Sequence, residues 1–422
     1  MKKVRLVSLL ALAAASVAGL AGCDNAAKDE KAVKIGLICL HDSSSTYDAN
    51  FINAMNEAVK DLGKKVIFEK NCLLTGVNED TACFDAAKDL VEKGCKVIFA
   101  DSFGHQEHML NAAKEFKDVQ FCHATGTNAK TANQSNYHNA FASIYQGRFL
   151  AGYAAGLKLV EEKKADLDAQ KALKVGYVGA YTYAEVISGY TSWFLGARNA
   201  LRDYGYKNEQ LTMDVSFTGS WYDPEGEGSA ADALIKDGAV LISQHADSMG
   251  APGTCEKANV PNVTYNVETK DECPKTYLAY SRINWAPYYK AVVNAVYEGK
   301  SIENEVNANW TGTVATGSVE YNVNWDNMTK DATKLADYKA KFDAVEKAVK
   351  EKGAAKVFDT STFTVDGKAV TTYQADTDGD FKGESEAIAT KDGVSYFNES
   401  ALASAPYFDL RIDGISLKNE KF

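Results

Sequence analysis

The sequence predicts an α/β protein of two doubly wound lobes, each a mostly parallel sheet covered by helices on both faces. Two observations predict it. Short, β-rich apolar runs alternate with amphipathic stretches from Val33 to Asn266, the pattern of strands buried on both faces by intervening helices. The rhythm breaks once, in the polar, charge-rich stretch Glu161 to Lys171, and then restarts. A single wide sheet would not need that break.

From the amino terminus, Lys2, Lys3 and Arg5 precede a short apolar run, Leu6 to Ala18, which closes on Leu20-Ala21-Gly22-Cys23. This is the form of a secretory signal, residues 1–22, with a lipobox. Small residues admit the peptidase, and the Cys23 thiol takes the diacylglycerol. The run is shorter than the roughly 20 residues of a membrane-spanning helix. Residues 23–32 are polar and lack aromatics, so they read as a flexible tether. The expected location is the extracytoplasmic face of the cell membrane, held by the lipid on Cys23.

The first set of predicted strands is Ile35 to Leu40, Val66 to Glu69, Val97 to Ala100 and Val119 to His123, with helices at Phe51 to Leu62, Thr81 to Lys93 and Glu107 to Phe116 between them. A long helical stretch from Tyr145 leads to the second set: Val175 to Gly179, Leu211 to Phe217, Val240 to Ser243 and Val263 to Asn266, separated by Ala184 to Tyr204 and Gly228 to Lys236. Trp285 to Tyr297 is an amphipathic helix stopped by Gly299, and residues from about 331 to 352 form a Lys-rich surface helix. Beyond Phe358 the pattern is of short strands and turns, with Val365-Asp366-Gly367-Lys368 a hairpin signal. Asp376-Thr-Asp378-Gly-Asp380 begins like a calcium loop. An EF-hand wants Gly at position six and Glu at twelve, whereas Gly379 is fourth and Glu386 eleventh. The segment therefore reads as a solvated acidic turn, with weak calcium binding the lesser alternative, and no metal site is assigned. His105 and His108 sit at helical spacing but have no further ligand pair, so they too read as an ordinary helical turn.

Composition narrows the function. The net charge of −11 becomes −14 once the three signal-segment cations are removed, which disfavours nucleic acid as a partner. Lipidation of Cys23 leaves seven thiols. Cys72 with Cys83, and Cys255 with Cys273, would each close a short loop and are the candidate disulfides of an exported chain. Cys39 and Cys122 fall in strand-like runs and are expected as buried free thiols. GxSxG, HExxH and GxxxxGK[ST] motifs are absent from the mature sequence, so binding is favoured over catalysis and no cofactor is expected.

Ligands of open α/β sheets bind beyond the carboxyl ends of the strands, and two facing lobes place both sets of ends on one cleft. The residues there combine aromatic rings (Tyr47, Phe103, Tyr181, Tyr183, Trp221 and Tyr222) with carboxylates. Flat faces and acceptor oxygens suit a planar, hydrogen-bonding ligand. A sugar could use the same groups.

Several stretches, in order, are similar to the basic membrane protein family of ABC-transporter solute-binding lipoproteins, which includes purine nucleoside and adenine receptors. They are Gly94-Cys-Lys-Val-Ile-Phe-Ala-Asp-Ser-Phe-Gly104, Val119-Gln-Phe-Cys-His-Ala-Thr-Gly126, Tyr145-Gln-Gly-Arg-Phe-Leu-Ala-Gly152, Val175-Gly-Tyr-Val-Gly179, Trp221-Tyr-Asp-Pro224, Ser243-Gln-His-Ala-Asp-Ser248 and Trp285-Ala-Pro-Tyr-Tyr289. The resemblance implies a type I periplasmic-binding-protein fold: lobe 1 from residues 33–145 plus about 281–302, lobe 2 from 146–280, and a C-terminal extension, 303–422, returning to the lobes and ending in a β-rich acidic tail. It implies hinge crossings near Ser143 to Gly147, near Tyr277 to Asn284 and soon after residue 300.

Carried over residue by residue, the family's Ser-Phe-Asn after the first strand becomes Thr46-Tyr47-Asp48, so Tyr47 keeps the stacking ring while Asp48 replaces an amide by a carboxylate. Phe103 matches a cleft aromatic, Trp221 a stacking Trp, Asp247 a carboxylate that reads a purine edge, and Asp42 an early acidic residue. The chain departs from the family at Ala246, where a Thr is expected, at Glu268-Thr269, and in the longer, more acidic segment Val370 to Glu399. The resulting expectation is a monomeric receptor that closes on a purine nucleoside or base and delivers it to an ABC permease. The alternatives are a sugar or signalling-molecule receptor and, more distantly, a nucleoside hydrolase.

Overall fold

The computed structural model describes residues 31–380 and 382–422; the signal segment, Cys23 and most of the expected tether lie outside them. The first sheet contains β1 (Val33–Ile38), β2 (Val66–Ile67), β3 (Leu73–Leu74), β4 (Val97–Ala100), β5 (Gln120–Ala124) and β6 (Tyr137–Ala142). The second contains β7 (Leu173–Gly179), β8 (Leu211–Phe217), β9 (Ala239–His245), β10 (Asn262–Tyr265) and β11 (Tyr277–Ile283). Later strands complete both: β12 (Asn309–Gly312) lies parallel to β6, and β13 (Val319–Val323) runs antiparallel to β11. Two small hairpins follow, β14 (Gln374–Ala375) with β15 (Ser385–Glu386) and β16 (Ile388–Lys391) with β17 (Val394–Phe397). Finally β18 (Ile415–Leu417) pairs in parallel with β8. The strand orders are β12-β6-β5-β4-β1-β2, with β3 also on β1, and β13-β11-β10-β9-β7-β8-β18.

The longer helices are α1 (Thr46–Leu62), α2 (Thr81–Glu92), α3 (Gln106–Glu115), α4 (Tyr145–Asp168), α5 (Ala184–Asp203), α6 (Pro224–Lys236), α7 (Gly250–Ala258), α8 (Ala286–Tyr297) and α9 (Ala332–Lys352). Four of their starts follow the capping rule that a side-chain oxygen satisfies an otherwise free N–H. Ser45 accepts from Asp48 N–H, Asp80 from Ala82 N–H, Asp223 from Gly226 N–H, and Asp331 from Thr333 and Lys334. In the second lobe α4 and α5 cross in close contact because each contributes a glycine. A Cβ on Gly152 would sit 1.9 Å from the Trp193 carbonyl oxygen, and one on Gly196 would sit 2.0 Å from that of Phe149. The α9 helix buries only Tyr338, Phe342, Val345 and Val349, one stripe of an otherwise solvated surface.

The chain passes between the sheets at 143–144, at 284–285 and at 313–318. These segments bond to one another: Ser143 N–H donates to Gly312 O (2.8 Å), Asn284 N–H to Ser318 O (2.9 Å), and Val314 N–H to Gln146 Oε1 (3.0 Å). The result is a three-stranded hinge at the base of the cleft. The tail belongs to the second lobe, through β18 and through buried Glu399, which accepts from Ser188 Oγ at 2.7 Å. The 365–368 hairpin forms, with Asp366 and Gly367 both at positive φ (49° and 72°) as a type I′ turn requires.

The thiol pairing expected from spacing is corrected. Among the described residues Cys39, Cys72, Cys83, Cys95, Cys122, Cys255 and Cys273 are buried free thiols. Cys72 approaches Cys95 (3.8 Å between sulfurs) and not Cys83, whose sulfur points to the His105 carbonyl. The parallel pairing of β1 with β3 and β4 decides which thiols meet, and loop length says nothing about it. Cys273 is near enough to add to the ionisation cost of Cys255, which burial dominates, but the two are not bonded.

Candidate ligand-binding site

The carboxyl ends of β1, β4 and β5 face those of β7, β8, β9 and β10 across the cleft. A pocket at the closed end is lined from the first lobe by Leu40, His41, Tyr47, Asp48, Phe103 and Thr125, and from the second by Glu185, Trp221, His245, Asp247 and Tyr265. The lobes touch here: Thr46 N–H, at the start of α1, donates to Asp247 O at 2.9 Å.

Five of the six residues expected to contact ligand converge on this pocket: Tyr47, Asp48, Phe103, Trp221 and Asp247. Asp42 does not. Its exposed carboxylate folds back on Ser44, accepting from the backbone N–H (2.9 Å) and the hydroxyl (2.6 Å). A short side chain beside its own turn finds local donors first. Glu185 and Tyr265 also line the pocket without having been expected there, whereas His245 lies just after the expected strand Val240 to Ser243. Tyr265 sits in a β-run and looks like core, and Glu185 looks like a first-turn helix acid.

The aromatic rings form two facing groups. Phe103, 45% exposed, projects from the first lobe. Opposite it Tyr183 stacks on Tyr181 (5.2 Å, 13°), and Trp221 meets Tyr181 edge-on at 5.2 Å. The Phe103 and Tyr183 centroids are 6.1 Å apart across the cleft. Tyr47 is fixed by its hydroxyl, which donates to Asp101 O (2.8 Å), and by its ring against Phe51.

The electrostatics are those of crowded, buried acids. Burial opposes the charge of Asp48, but hydrogen bonds from His41 and Ser45 outweigh it and hold the carboxyl below its ordinary value. Asp101, whose carboxylate lies within 4.8 Å of that of Asp48, is pushed well up by burial and by Asp48. The proton of this pair therefore resides on Asp101. Asp247 is also pushed well up, by burial and then by Glu227, Asp48 and Glu185; its Oδ1 accepts from Asn266 Nδ2 at 3.0 Å. Burial raises Glu185 to about 7, partly offset by Arg148. Burial likewise drives His245 well down, so its 3.4 Å contact with Glu185 joins a neutral imidazole to a partly protonated acid. Arg148 lies beneath the floor, its guanidinium 3.4 Å from the centre of the Tyr265 ring and its Nη1 donating to Gln244 O. The arrangement offers acceptors and flat faces to a planar ligand rich in N–H and O–H donors. Elsewhere, the acids of Asp376, Asp378, Asp380 and Glu384 gather in a turn braced by backbone N–H groups, and His105 is buried against Val77 O rather than paired with His108.

The family model described as ABC transporter substrate-binding protein, PnrA-like, matches residues 35–358. The chain belongs to this family. A purine-binding protein of Brucella abortus is 32% identical over 330 residues, spanning 76% of this chain and 84% of the relative. An ABC transporter nucleoside-binding protein of Lactococcus lactis is 25% identical, spanning 64% and 72%. An ABC transporter protein of Haloferax volcanii named for glucose is 31% identical over 51% of this chain and 49% of its own length. The solved solute-binding protein of Aeropyrum pernix superposes with a TM-score of 0.58 at 12% identity, covering 76% of this chain and 90% of that one, and shows a shared type I periplasmic-binding fold. Members of the PnrA-like family serve ABC transporters outside the cytoplasm. Among the described residues no helix is long and apolar enough to cross a membrane.

Proposed function

We propose that this PnrA-like protein captures a purine base or purine nucleoside and, tethered by a lipid on Cys23, hands it to an ABC permease as a monomer. The observation that carries the reading is the pairing of aromatic faces from opposite lobes, Phe103 against Tyr183, which itself packs on Trp221, above a closed end walled by Asp48, Glu185 and Asp247. Stacking rewards any flat heterocycle, and carboxylate acceptors reward one with ring N–H and exocyclic amino groups. The Brucella and Lactococcus relatives carry purine and nucleoside binding in their names, which agrees with that chemistry. The site works by binding and hinge closure, without a catalytic step.

The test is mass spectrometry of small molecules released on denaturing the freshly purified protein, followed by calorimetric titration with adenosine, adenine and ribose. Near-stoichiometric purine, with ribose alone inert, is the expected result. A retained sugar, or no response to any purine, would remove the assignment and favour the sugar reading that the Haloferax relative's name raises. The lipid is tested separately: Cys23→Ser should release the protein from the membrane, and a variant still membrane-bound would refute the anchor.

A further inference from the structure

One buried cation underlies the second-lobe wall of the cleft. Arg148 stands in the first turn of α4, just past the first hinge crossing, and is 1% exposed. A guanidinium keeps its proton throughout the pH range of a folded protein, and a buried charge is costly unless something answers it. Local partners answer it in part. Nη1 donates to Gln244 O at 2.8 Å, and the guanidinium sits 3.4 Å from the centre of the Tyr265 ring, a cation–π contact. Among the described residues Nε and Nη2 have no hydrogen-bond partner.

The fold aims that charge at the acids of the pocket. Glu185 and Gly189 are one turn apart on α5 and so share a face, and this face lies against His245 and Arg148. A Cβ on Gly189 would sit 2.6 Å from His245 Nδ1 and 3.6 Å from Arg148 Nε, while Glu185 Oε1 is 3.4 Å from His245 Nε2. Only a glycine lets α5 come this near. The groups facing Glu185 from the other elements are His245, held neutral by burial, and Asp247 at the end of β9, Tyr265 in β10, Tyr177 in β7, and Tyr47 and Asp48 in α1. His41, the other basic group lining this pocket, is committed to Asp48 in the first lobe. Arg148 therefore opposes the crowding on the second-lobe side, and its charge favours the ionised forms of both Glu185 and Asp247. Without it, burial and mutual repulsion would drive both carboxyls to take up protons.

We propose that Arg148 is a positioning residue of the binding site: without touching ligand, it holds Glu185 and Asp247 as the ionised acceptors that a donor-rich ligand meets on closure. This rests on the purine reading above. Two measurements test it. In the first, adenosine is titrated into wild type, Arg148→Gln and Arg148→Lys between pH 6 and 9. Arg148→Gln should move the pH midpoint of affinity up by about one unit or more, a loss of roughly fivefold or more at pH 7 that narrows as pH rises. Arg148→Lys keeps the charge and should keep the midpoint. A loss equal at every pH, or the same in both variants, would mark a packing role and overturn the proposal. The second measurement needs no ligand. Glu185 ionises at about 7, so at pH 8 Arg148→Gln should lower the melting temperature more in the wild-type background than in Glu185→Gln, and at pH 5 the two losses should agree. Additive losses at both pH values would overturn the coupling whether or not a purine binds. A wild type that ignores adenosine while the melting difference persists would remove the purine reading and leave the link between Arg148 and Glu185 standing.

Discussion

Replacing Asp247 by Asn should weaken the ligand and strengthen the protein. Asp247 is 4% exposed, and its ionised form is disfavoured by burial and by the nearby carboxylates of Glu227, Asp48 and Glu185. Among the described residues its one side-chain hydrogen-bond partner is Asn266 Nδ2, at 3.0 Å, a bond that an Asn oxygen also accepts. The substitution therefore removes an unfavourable charge and no structural contact. A charge-assisted hydrogen bond to ligand contributes about 1.5–3 kcal/mol, so the dissociation constant for adenosine or adenine should rise roughly 10- to 150-fold. The stability change has a definite pH sign. A carboxyl whose folded pKa is raised gives stability that is complete below its unfolded value, about 4, and is lost as pH rises through the folded one. Wild type and variant should then match in acid and diverge toward neutral pH, the variant melting higher; each kcal/mol of relief is worth roughly 1 °C in a chain of this size. Calorimetric titration and a melting series between pH 4 and 8 measure both. Unchanged affinity would refute the contact, and a lower melting temperature at neutral pH would refute the electrostatic account.

Four further outcomes follow from the structure. Glu185 ionises at about 7, so if it accepts from ligand, affinity should climb between pH 6 and 8 in the wild type and stay flat in Glu185→Gln; parallel profiles would exclude it. Glu399 is raised to about 8 from an ordinary 4.5, by burial first; at about 1.4 kcal/mol per unit this is up to ~5 kcal/mol of stability present below pH ~4.5 and lost as pH rises through ~8, which Glu399→Gln should abolish in pH-dependent denaturation. Gly152→Val drives a Cβ into the Trp193 carbonyl and should cost about 3 kcal/mol or more, whereas Gly253→Ala in α7, with nothing within 4 Å of its Cβ, should gain about 0.5–1 kcal/mol; equal melting temperatures would refute the packing argument. Thiol titration of the denatured, unreduced protein should count all seven cysteines found free here, and mild oxidation should first yield a Cys72–Cys95 peptide pair rather than Cys72–Cys83.

The alternating lobes were legible because burial of parallel strands writes itself into local composition, as in Val97–Ala100. The strand Tyr137–Ala142 was not, since His138 and Asn139 interrupt its apolar run. Asn139 is tolerated because its amide is satisfied inside, accepting from Ala129 N–H and donating to Tyr137 OH. The tail was illegible for another reason: Ile415 pairs with Met213, a partner some two hundred residues away that no window sees. In the site, Tyr47, Asp48, Phe103, Trp221 and Asp247 could be placed because each follows a strand end or begins the next helix. Tyr265 and Glu185 needed the second lobe's own geometry, and Asp42 was misplaced because its nearest donor belongs to its own turn.

The same acids explain why ligand and closure are coupled. Asp48 belongs to the first lobe, Glu185 and Asp247 to the second, and Asp48 contributes directly to the rise of Asp247. Bringing the lobes together therefore sets like charges against one another or forces a proton onto Asp247, and the cross-cleft bond from Thr46 N–H to Asp247 O forms against that cost. A ligand whose N–H and O–H groups are accepted by these carboxylates removes the repulsion at the moment of closure, while its ring covers Phe103 and Trp221. Shifting a two-state equilibrium from 1:99 to 99:1 takes about 5.5 kcal/mol of differential affinity. Two charge-assisted hydrogen bonds at about 1.5–3 kcal/mol each and one stacked ring at about 0.5–1.5 kcal/mol reach that range. A ligand without donors would stack on one lobe and gain nothing from the other, so the carboxylates set which molecules can close the hinge.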